Sequence, residues 1–521
     1  MRKLLNIIFV FELAMFGLII LGIMPRWIVP YFVLILAGYV IFAPIEDGVT
    51  FFVRSIPFFI AIPVTATFDN FNTWRIISAI LFLKWFFGNS VSEILEWVRQ
   101  PFTRLKKLNF SSILLIVILL FAILSITQAE NYLLAVKRGL YFINLSLIGI
   151  VAYDLFNKKE QFRENIIKNL AIPTIIVAMV GLAQVVSTYF VDIYQFMALW
   201  GEGIQCRQFG AEWCNIAVRV GNTWLAYFGD QLSLRVFSLF PDSHSFPIFL
   251  LLGLPSVFVV ALKKLSPEKF INSQSIFKTA SVNKTVILIP VIFLAAILSG
   301  TRGIWAAGAG TLFVVLFLVF LLKKYGHASQ QKIFTYLSSY LILFFLLFTV
   351  AFPIFASPQF LVSKGNSLIL RNRIKSIIDF GETSNSQRIE IWKKSLVSIV
   401  KHPLLGVGIG NFPVVLKQDL RLAKAGSSAH NLYLQIAAEM GIPALFLSLC
   451  FFWLLIKNAY QNFIESRNQT FIIYNATALI FIPWVLLYLL SDAAIFDERA
   501  FLIFVITTAA VLNKKTSAKT I

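Results

Sequence analysis

The chain has 521 residues, of which 58% are hydrophobic and only 13% charged, against about 25% in soluble domains, so a soluble globular protein is excluded. The net charge of +20 does not point to nucleic acid, because the basic residues cluster in short loops between apolar runs, the positive-inside pattern of a membrane protein. The apolar runs are continuous rather than alternating, which excludes a β-barrel.

Runs long enough to cross a bilayer, roughly 20 residues each, recur along the whole chain. Their cores are 4–23, 27–44, 51–67, 76–88, 111–127, 139–155, 170–190, 245–262, 285–300, 304–322, 335–356, 431–456, 471–490 and 500–512. This pattern predicts an all-α polytopic integral membrane protein of about 12–14 transmembrane helices with long extracytoplasmic loops. Met1-Arg2-Lys3 before the first run resembles a signal peptide, but no small-residue cleavage site follows and a second run begins at Trp27. It is read as a retained first span. Pro57 and Pro63 break the third core, and the fourth is short and carries Lys84. If that pair is re-entrant, the count falls to about twelve without changing the parity of later loops.

The loops 99–107, 158–168, 263–284 and 323–332 and the tail with Lys514, Lys515 and Lys519 are strongly basic. They are placed inside, so both termini are expected in the cytoplasm. No internal repeat or separate soluble domain is visible, and residues 1–521 are treated as one membrane-embedded domain. Two segments placed outside are long, 191–243 and 357–430.

The first outside segment holds Trp200, Trp213 and Trp224 with Tyr194 and Tyr227. Aromatics at this density suit an interfacial cap or a surface that stacks on sugar rings. Cys206 and Cys214 form a disulfide in an oxidising compartment or remain two free thiols. No CxxC or His pair matches a zinc site there, so no metal is expected. Arg235, Asp242 and His244 gather at the mouth of the eighth span. They are candidate substrate-binding residues, with Asp242 and His244 as a local acid–base pair; a structural role is the alternative.

Ser299-Gly300-Thr301-Arg302-Gly303 interrupts two apolar runs at the outer end of the ninth span. The glycines permit a tight reversal, and an arginine at this depth either snorkels or meets an anion such as phosphate. In the second outside segment, Ile389, Trp392, Leu396, Ile399 and Val400 recur at helical spacing over 387–402, with Asn385 or Ser386 as a cap and Pro403 as a stop. Such a helix lies on the membrane surface or on the transmembrane bundle. Arg388 falls at its predicted start, where free N–H groups and a guanidinium both favour an anion; an exposed charge paired with Glu390 is the plainer alternative.

Pro403-Leu404-Leu405-Gly406-Val407-Gly408-Ile409-Gly410-Asn411-Phe412 lacks the GxGxxG spacing and the strand–turn–helix setting of a dinucleotide loop. Backbone packing close to a neighbour is expected instead. His430, one of only four histidines, stands where the outside segment enters an apolar helix, and histidine suits proton transfer near neutral pH. A capping or interfacial histidine is the alternative. Glu439 lies nine residues on, half a turn out of phase and about 13 Å up a helix, so it is read as a buried polar contact rather than a partner of His430.

In order, SGTRG at a span end, SQRIEIW, PLLGVGIGNF and AHNLYLQIAAEMGIPAL resemble the O-antigen ligase/polymerase superfamily. The resemblance covers the chain from about Thr285 onward and, more weakly, 235–246. It implies a membrane glycosyltransferase acting at the outer face of the bacterial inner membrane on a glycan carried by undecaprenyl pyrophosphate. It further implies that Arg302 and Arg388 bind the donor pyrophosphate and that His430 activates the acceptor hydroxyl. Two arginines can neutralise a pyrophosphate leaving group without a metal, and direct attack inverts the anomeric centre. A metal-independent inverting transfer without cofactor is expected, with lipid A-core as acceptor for a ligase. A polymerase would use another lipid-linked repeat. A transferase to a protein serine and a transporter or flippase of lipid-linked sugars are further alternatives; against transport, the notable charges lie at the outer edge rather than mid-membrane.

Overall fold

The computed structural model describes residues 2–65, 69, 71–88, 110–220, 224–228, 231–263, 283–355, 383–418 and 428–513. The basic stretch 99–107, most of 263–284 and the tail lysines lie outside the described residues, as do Lys364, Arg371, Arg373, Lys375, Arg421 and Lys424 of the second outside segment.

Helices follow the apolar runs. They are α1 (Arg2–Ile20), α2 (Val29–Phe42), α3 (Ile45–Ser55), α4 (Thr73–Gly88), α5 (Phe110–Ser125), α6 (Tyr132–Lys158) and α7 (Glu160–Ser187). The short α8 (Ala211–Val220) precedes α9 (Ser245–Leu262), α10 (Leu288–Leu298), α11 (Arg302–Lys324), α12 (Ala328–Ser338) and α13 (Tyr340–Phe355). The last four are α14 (Thr383–Lys401), α15 (Leu432–Glu465), α16 (Gln469–Tyr488) and α17 (Glu498–Leu512). Asn131, Asn431, Asn468 and Asp497 cap α6, α15, α16 and α17 through side-chain oxygens. Among the described residues, nine helical stretches are long and apolar enough to cross a membrane, and two shorter apolar ones, Arg26–Phe42 and Lys284–Leu298, accompany them. The protein is an all-α polytopic membrane protein.

The third apolar run is not a continuous helix. α3 covers about 16 Å, passes through a 3-10 turn at Pro57, and continues as extended backbone. There β1 (Ala61–Ile62) pairs antiparallel with β2 (Phe71–Asn72) before α4 returns. Non-helical backbone is tolerated at this depth because it is enclosed by protein: Phe51, Phe52, Val53, Ile56, Phe58, Phe59 and Ile60 are all buried. The guanidinium of Arg499 donates to the carbonyls of Pro57 and Phe59, satisfying groups the broken helix leaves open.

α9 and α16 form the centre of the bundle and are buried along almost their whole lengths. Peripheral α5 exposes Leu115, Ile116, Leu119, Leu120, Ile123 and Leu124, a lipid-facing surface. One end of the bundle gathers Lys158, Lys159, Lys168, Lys263, Lys323 and Lys324; the opposite end gathers the starts of α9, α11 and α15 and the end of α16.

The first outside segment caps that second end. Helical turns over 193–209 lead to Gly210 and α8. Gly210 has φ +96° and lies against Asp69, whose carboxylate accepts from the backbone of Ala211 and Glu212 and from Arg26. Cys206 and Cys214 are joined in a disulfide across this turn, with Cα atoms 5.0 Å apart. Trp224 is buried and donates to Gln205 Oε1 at 2.6 Å, Trp213 packs on Phe209 and Trp224, and Trp200 donates to Ser187. Trp200 therefore ties the cap to α7, while Trp213 and Trp224 pack within the cap. A hairpin, β3 (Leu225–Phe228) with β4 (Gln231–Leu234), leads from the cap toward α9.

α15 carries a kink that organises the second outside segment. Gly441 has φ 89° and ψ 169°, and Pro443 follows it. The interruption frees backbone groups, and the loop 403–411 takes them up: Val407 donates to Ala438, Gly408 to Glu439, and Ile442 donates back to Pro403. Gly410 donates to the Glu439 carboxylate, and Ile409 to Ser125 of α5. The glycine-rich motif is thus a backbone wedge, and Glu439 is a buried polar contact within it that also accepts from Gln435.

Candidate active site

A small cleft opens at the end of the bundle away from the lysine-rich face, and its lining includes Arg235, His244, Arg302, Arg388, Tyr488 and Asp492. Each arrives from a different part of the chain for a local reason.

α10 ends at Leu298, Gly300 turns the chain with φ +67°, and Arg302 is the first residue of α11. Thr301 donates to the Ser243 carbonyl at 2.8 Å, tying this turn to the segment that precedes α9. A Cβ on Gly303 would collide with Ser491 and Tyr488, so glycine lets the 488–492 turn close over the helix start. Arg302 thereby joins its guanidinium to the free N–H groups of a long helix, a favourable setting for an anion.

Arg388 reaches the same cleft from α14. The helix starts at Thr383 rather than near Gln387, which puts Arg388 in its second turn. The expected help from free N–H groups at Arg388 is therefore corrected: that setting belongs to Arg302. α14 buries Ser395, Ser398 and Ile399 and leaves Leu396, Val397 and Val400 exposed with Leu404. The helix thus lies on α15 while turning an apolar strip outward, toward lipid.

His430 is held from both sides. Trp392 of α14 donates to the Ala429 carbonyl at 3.0 Å, and Ala429 donates to Gln435. Asn431 donates to Leu490, and the Leu432 N–H meets the carbonyls of Leu489 and Asp492. His430 itself has φ +45°, a left-handed conformation rare outside glycine that persists only where neighbours impose it. Its Nδ1 is buried with no hydrogen-bond partner among the described residues. Burial holds its pKa below the ordinary histidine value; the Asp492 carboxylate opposes this, while Arg388 and His244 add to it. His430, Arg388, His244 and Asp492 therefore share one electrostatic neighbourhood.

Asp242 and His244 do not pair through their side chains. Asp242 Oδ1 accepts the backbone N–H groups of His244 and Ser245 at 2.8 and 2.7 Å, capping the start of α9. The imidazole instead meets Asp492, with Nδ1 2.8 Å from Oδ2, while Nε2 lies 2.7 Å from Arg235 Nη1. Tyr488 Oη is 3.1 Å from the same Nδ1. Burial alone would raise the Asp492 pKa, but His244, His430 and Arg388 together hold it below the usual carboxylate range.

Asp492 and Tyr488 are the site residues that sequence reading missed. The available signal was Ser491-Asp492, a polar break between two apolar runs at the same end as Arg302. Among the described residues no group of three or more His, Cys, Asp or Glu side chains is arranged to hold a metal ion.

Residues 287–449 match the family model described as O-Antigen ligase. The chain resembles that family over about a third of its length. No curated protein matches it. The matched O-antigen ligase segment contains Arg302, Arg388 and His430, whereas Arg235, His244 and Asp492 enter the cleft from outside it.

Proposed function

We propose that this cleft transfers a glycan from a lipid-linked pyrophosphate to an acceptor hydroxyl, as an O-antigen ligase acting on lipid A-core at the outer face of the bacterial inner membrane. The observation that carries the reading is the convergence of Arg302 and Arg388 in one cleft beside His430. By the positive-inside rule, the lysine-rich end of the bundle supports a cytoplasmic position for that end and for both termini, and an outward-facing cleft.

The chemistry follows from charge. The bond from the anomeric carbon to the pyrophosphate oxygen breaks, and both bonding electrons leave with the pyrophosphate. Arg302 and Arg388 neutralise that charge as it develops, in a setting partly shielded from water. A sugar hydroxyl is a weak nucleophile, so His430 removes its proton as the new glycosidic bond forms. The unpartnered Nδ1 of His430 supports this role, and Asp492 stabilises the imidazolium that results. Attack from the face opposite the leaving group inverts the anomeric centre. No step requires a metal, and activity is expected to persist in excess EDTA; a strict Mg²⁺ requirement refutes the scheme.

The decisive experiment is the envelope glycan profile of a deletion strain complemented with wild type or His430→Ala. A ligase predicts loss of all glycan from lipid A-core, with long chains accumulating on the lipid carrier. Single repeats on the core without the long ladder would instead make the protein a polymerase of lipid-linked repeats. A wild-type profile with His430→Ala at normal abundance would remove the general-base assignment, and accumulation of substrate on the cytoplasmic leaflet would favour a transporter.

A further inference from the structure

We infer that Arg235 is a third anion-binding guanidinium of the cleft, and that His244, itself held by Asp492, is the residue that positions it. The inference rests on the pyrophosphate reading above and adds two residues that lie outside the family-matched segment.

The hydrogen-bond pattern leaves little freedom. An arginine side chain is always a donor, so at 2.7 Å from Arg235 Nη1 the Nε2 of His244 must accept. The ring proton then sits on Nδ1 and is donated to Asp492 Oδ2 at 2.8 Å. With its Nε2 lone pair engaged, His244 is not available to take a proton from an acceptor hydroxyl. It is a positioning residue, in contrast to His430, whose Nδ1 is unpartnered.

Interposing a neutral ring between Arg235 and Asp492 has a consequence for charge. A carboxylate bound directly to Arg235 would cancel its charge toward a ligand. The ring orients the guanidinium instead and leaves that charge directed at the cleft, where three guanidinium groups face one carboxylate, Asp492. The main chain of Arg235 is fixed, since its backbone N–H donates to the Trp224 carbonyl at 2.9 Å. Its Nε is buried with no partner among the described residues, a donor suited to a phosphate oxygen. Burial and the neighbouring Arg302 push its pKa down to about 10, so Arg235 remains charged at neutral pH.

The test uses the full chain in detergent with inorganic pyrophosphate as the probe, and binding is read by calorimetry on variants first checked for an unchanged thermal midpoint. Arg235→Ala is expected to weaken binding by roughly tenfold or more, the loss of one charge-assisted contact, and added guanidinium ion should restore it. His244→Asn keeps a donor for Asp492 but is too short to accept from Arg235, and should weaken binding by a similar factor. His244→Gln offers a carbonyl at the reach of Nε2 and should rescue most of the loss. Unchanged affinity in Arg235→Ala overturns the inference. So does an equal effect of His244→Asn and His244→Gln, which would make His244 a fold residue only. Arg302→Ala and Arg388→Ala separate the two levels: if they lose pyrophosphate while Arg235→Ala does not, only this inference falls. If all three bind as wild type does, the pyrophosphate reading itself falls.

Discussion

Gly441→Ala probes how the outer segment is held to the bundle. At φ 89° and ψ 169° the backbone lies in a region open essentially to glycine, and holding alanine there costs about 1–3 kcal/mol. The added Cβ would also run into the carbonyl of Leu404, so the loop must retreat. Retreat breaks the Val407–Ala438, Gly408–Glu439 and Ile442–Pro403 hydrogen bonds, each worth about 1 kcal/mol net. If the loop recovers part of that by relaxing, the expected destabilisation is about 3–5 kcal/mol. Because the loop links α14, which carries Arg388, to α15, which His430 precedes, turnover should fall further than protein abundance. The assay is the thermal midpoint of the purified protein together with glycan transfer, using Gly38→Ala as a control, since nothing lies within 4 Å of a Cβ there. A Gly441→Ala protein with wild-type midpoint and wild-type transfer would refute the wedge as the element that holds the site together.

Three further outcomes are expected. The base role proposed for His430 requires the neutral imidazole, so kcat/KM should fall as pH drops through its pKa. Burial places that acid limb below the ordinary histidine value of about 6.5. Asp492→Asn removes the charge that favours the imidazolium and should move the limb to still lower pH, while a shift upward would contradict the assignment. Arg302→Lys keeps the charge but loses the planar fork, and a loss of roughly tenfold or more in kcat/KM is expected; unchanged kinetics would make Arg302 a turn residue. Opening the Cys206–Cys214 loop with a double serine variant should cost roughly 2–3 kcal/mol, seen as a lower midpoint with the bundle still folded; an unchanged midpoint would mean that Asp69 and the tryptophans suffice to hold the cap.

Much of this protein is determined locally. Continuous apolar runs broken by charged loops specify membrane helices because unpaired backbone groups are intolerable in lipid, and all fourteen predicted cores correspond to helical segments, the third of them broken and the eleventh divided between α12 and α13. The SGTRG turn could likewise be read directly, since Gly300 and Arg302 act where they stand in the chain. For the glycine-rich stretch 403–412 the sequence pointed to close backbone packing, while the neighbour it packs on, the kink of α15, came from the structure.

Tertiary structure alone decided which charges meet. Asp492 lies 248 residues from His244 in the chain, yet their side chains are 2.8 Å apart, and Asp242, only two residues from His244, turns to the backbone instead. No local propensity encodes such a pairing. It depends on α9 and α16 packing side by side, and on Gly303 letting the 488–492 turn close over the start of α11. Helix formation is settled by hydrogen bonds within one segment, whereas the partner of a buried charge is settled by which segments exclude lipid and water together.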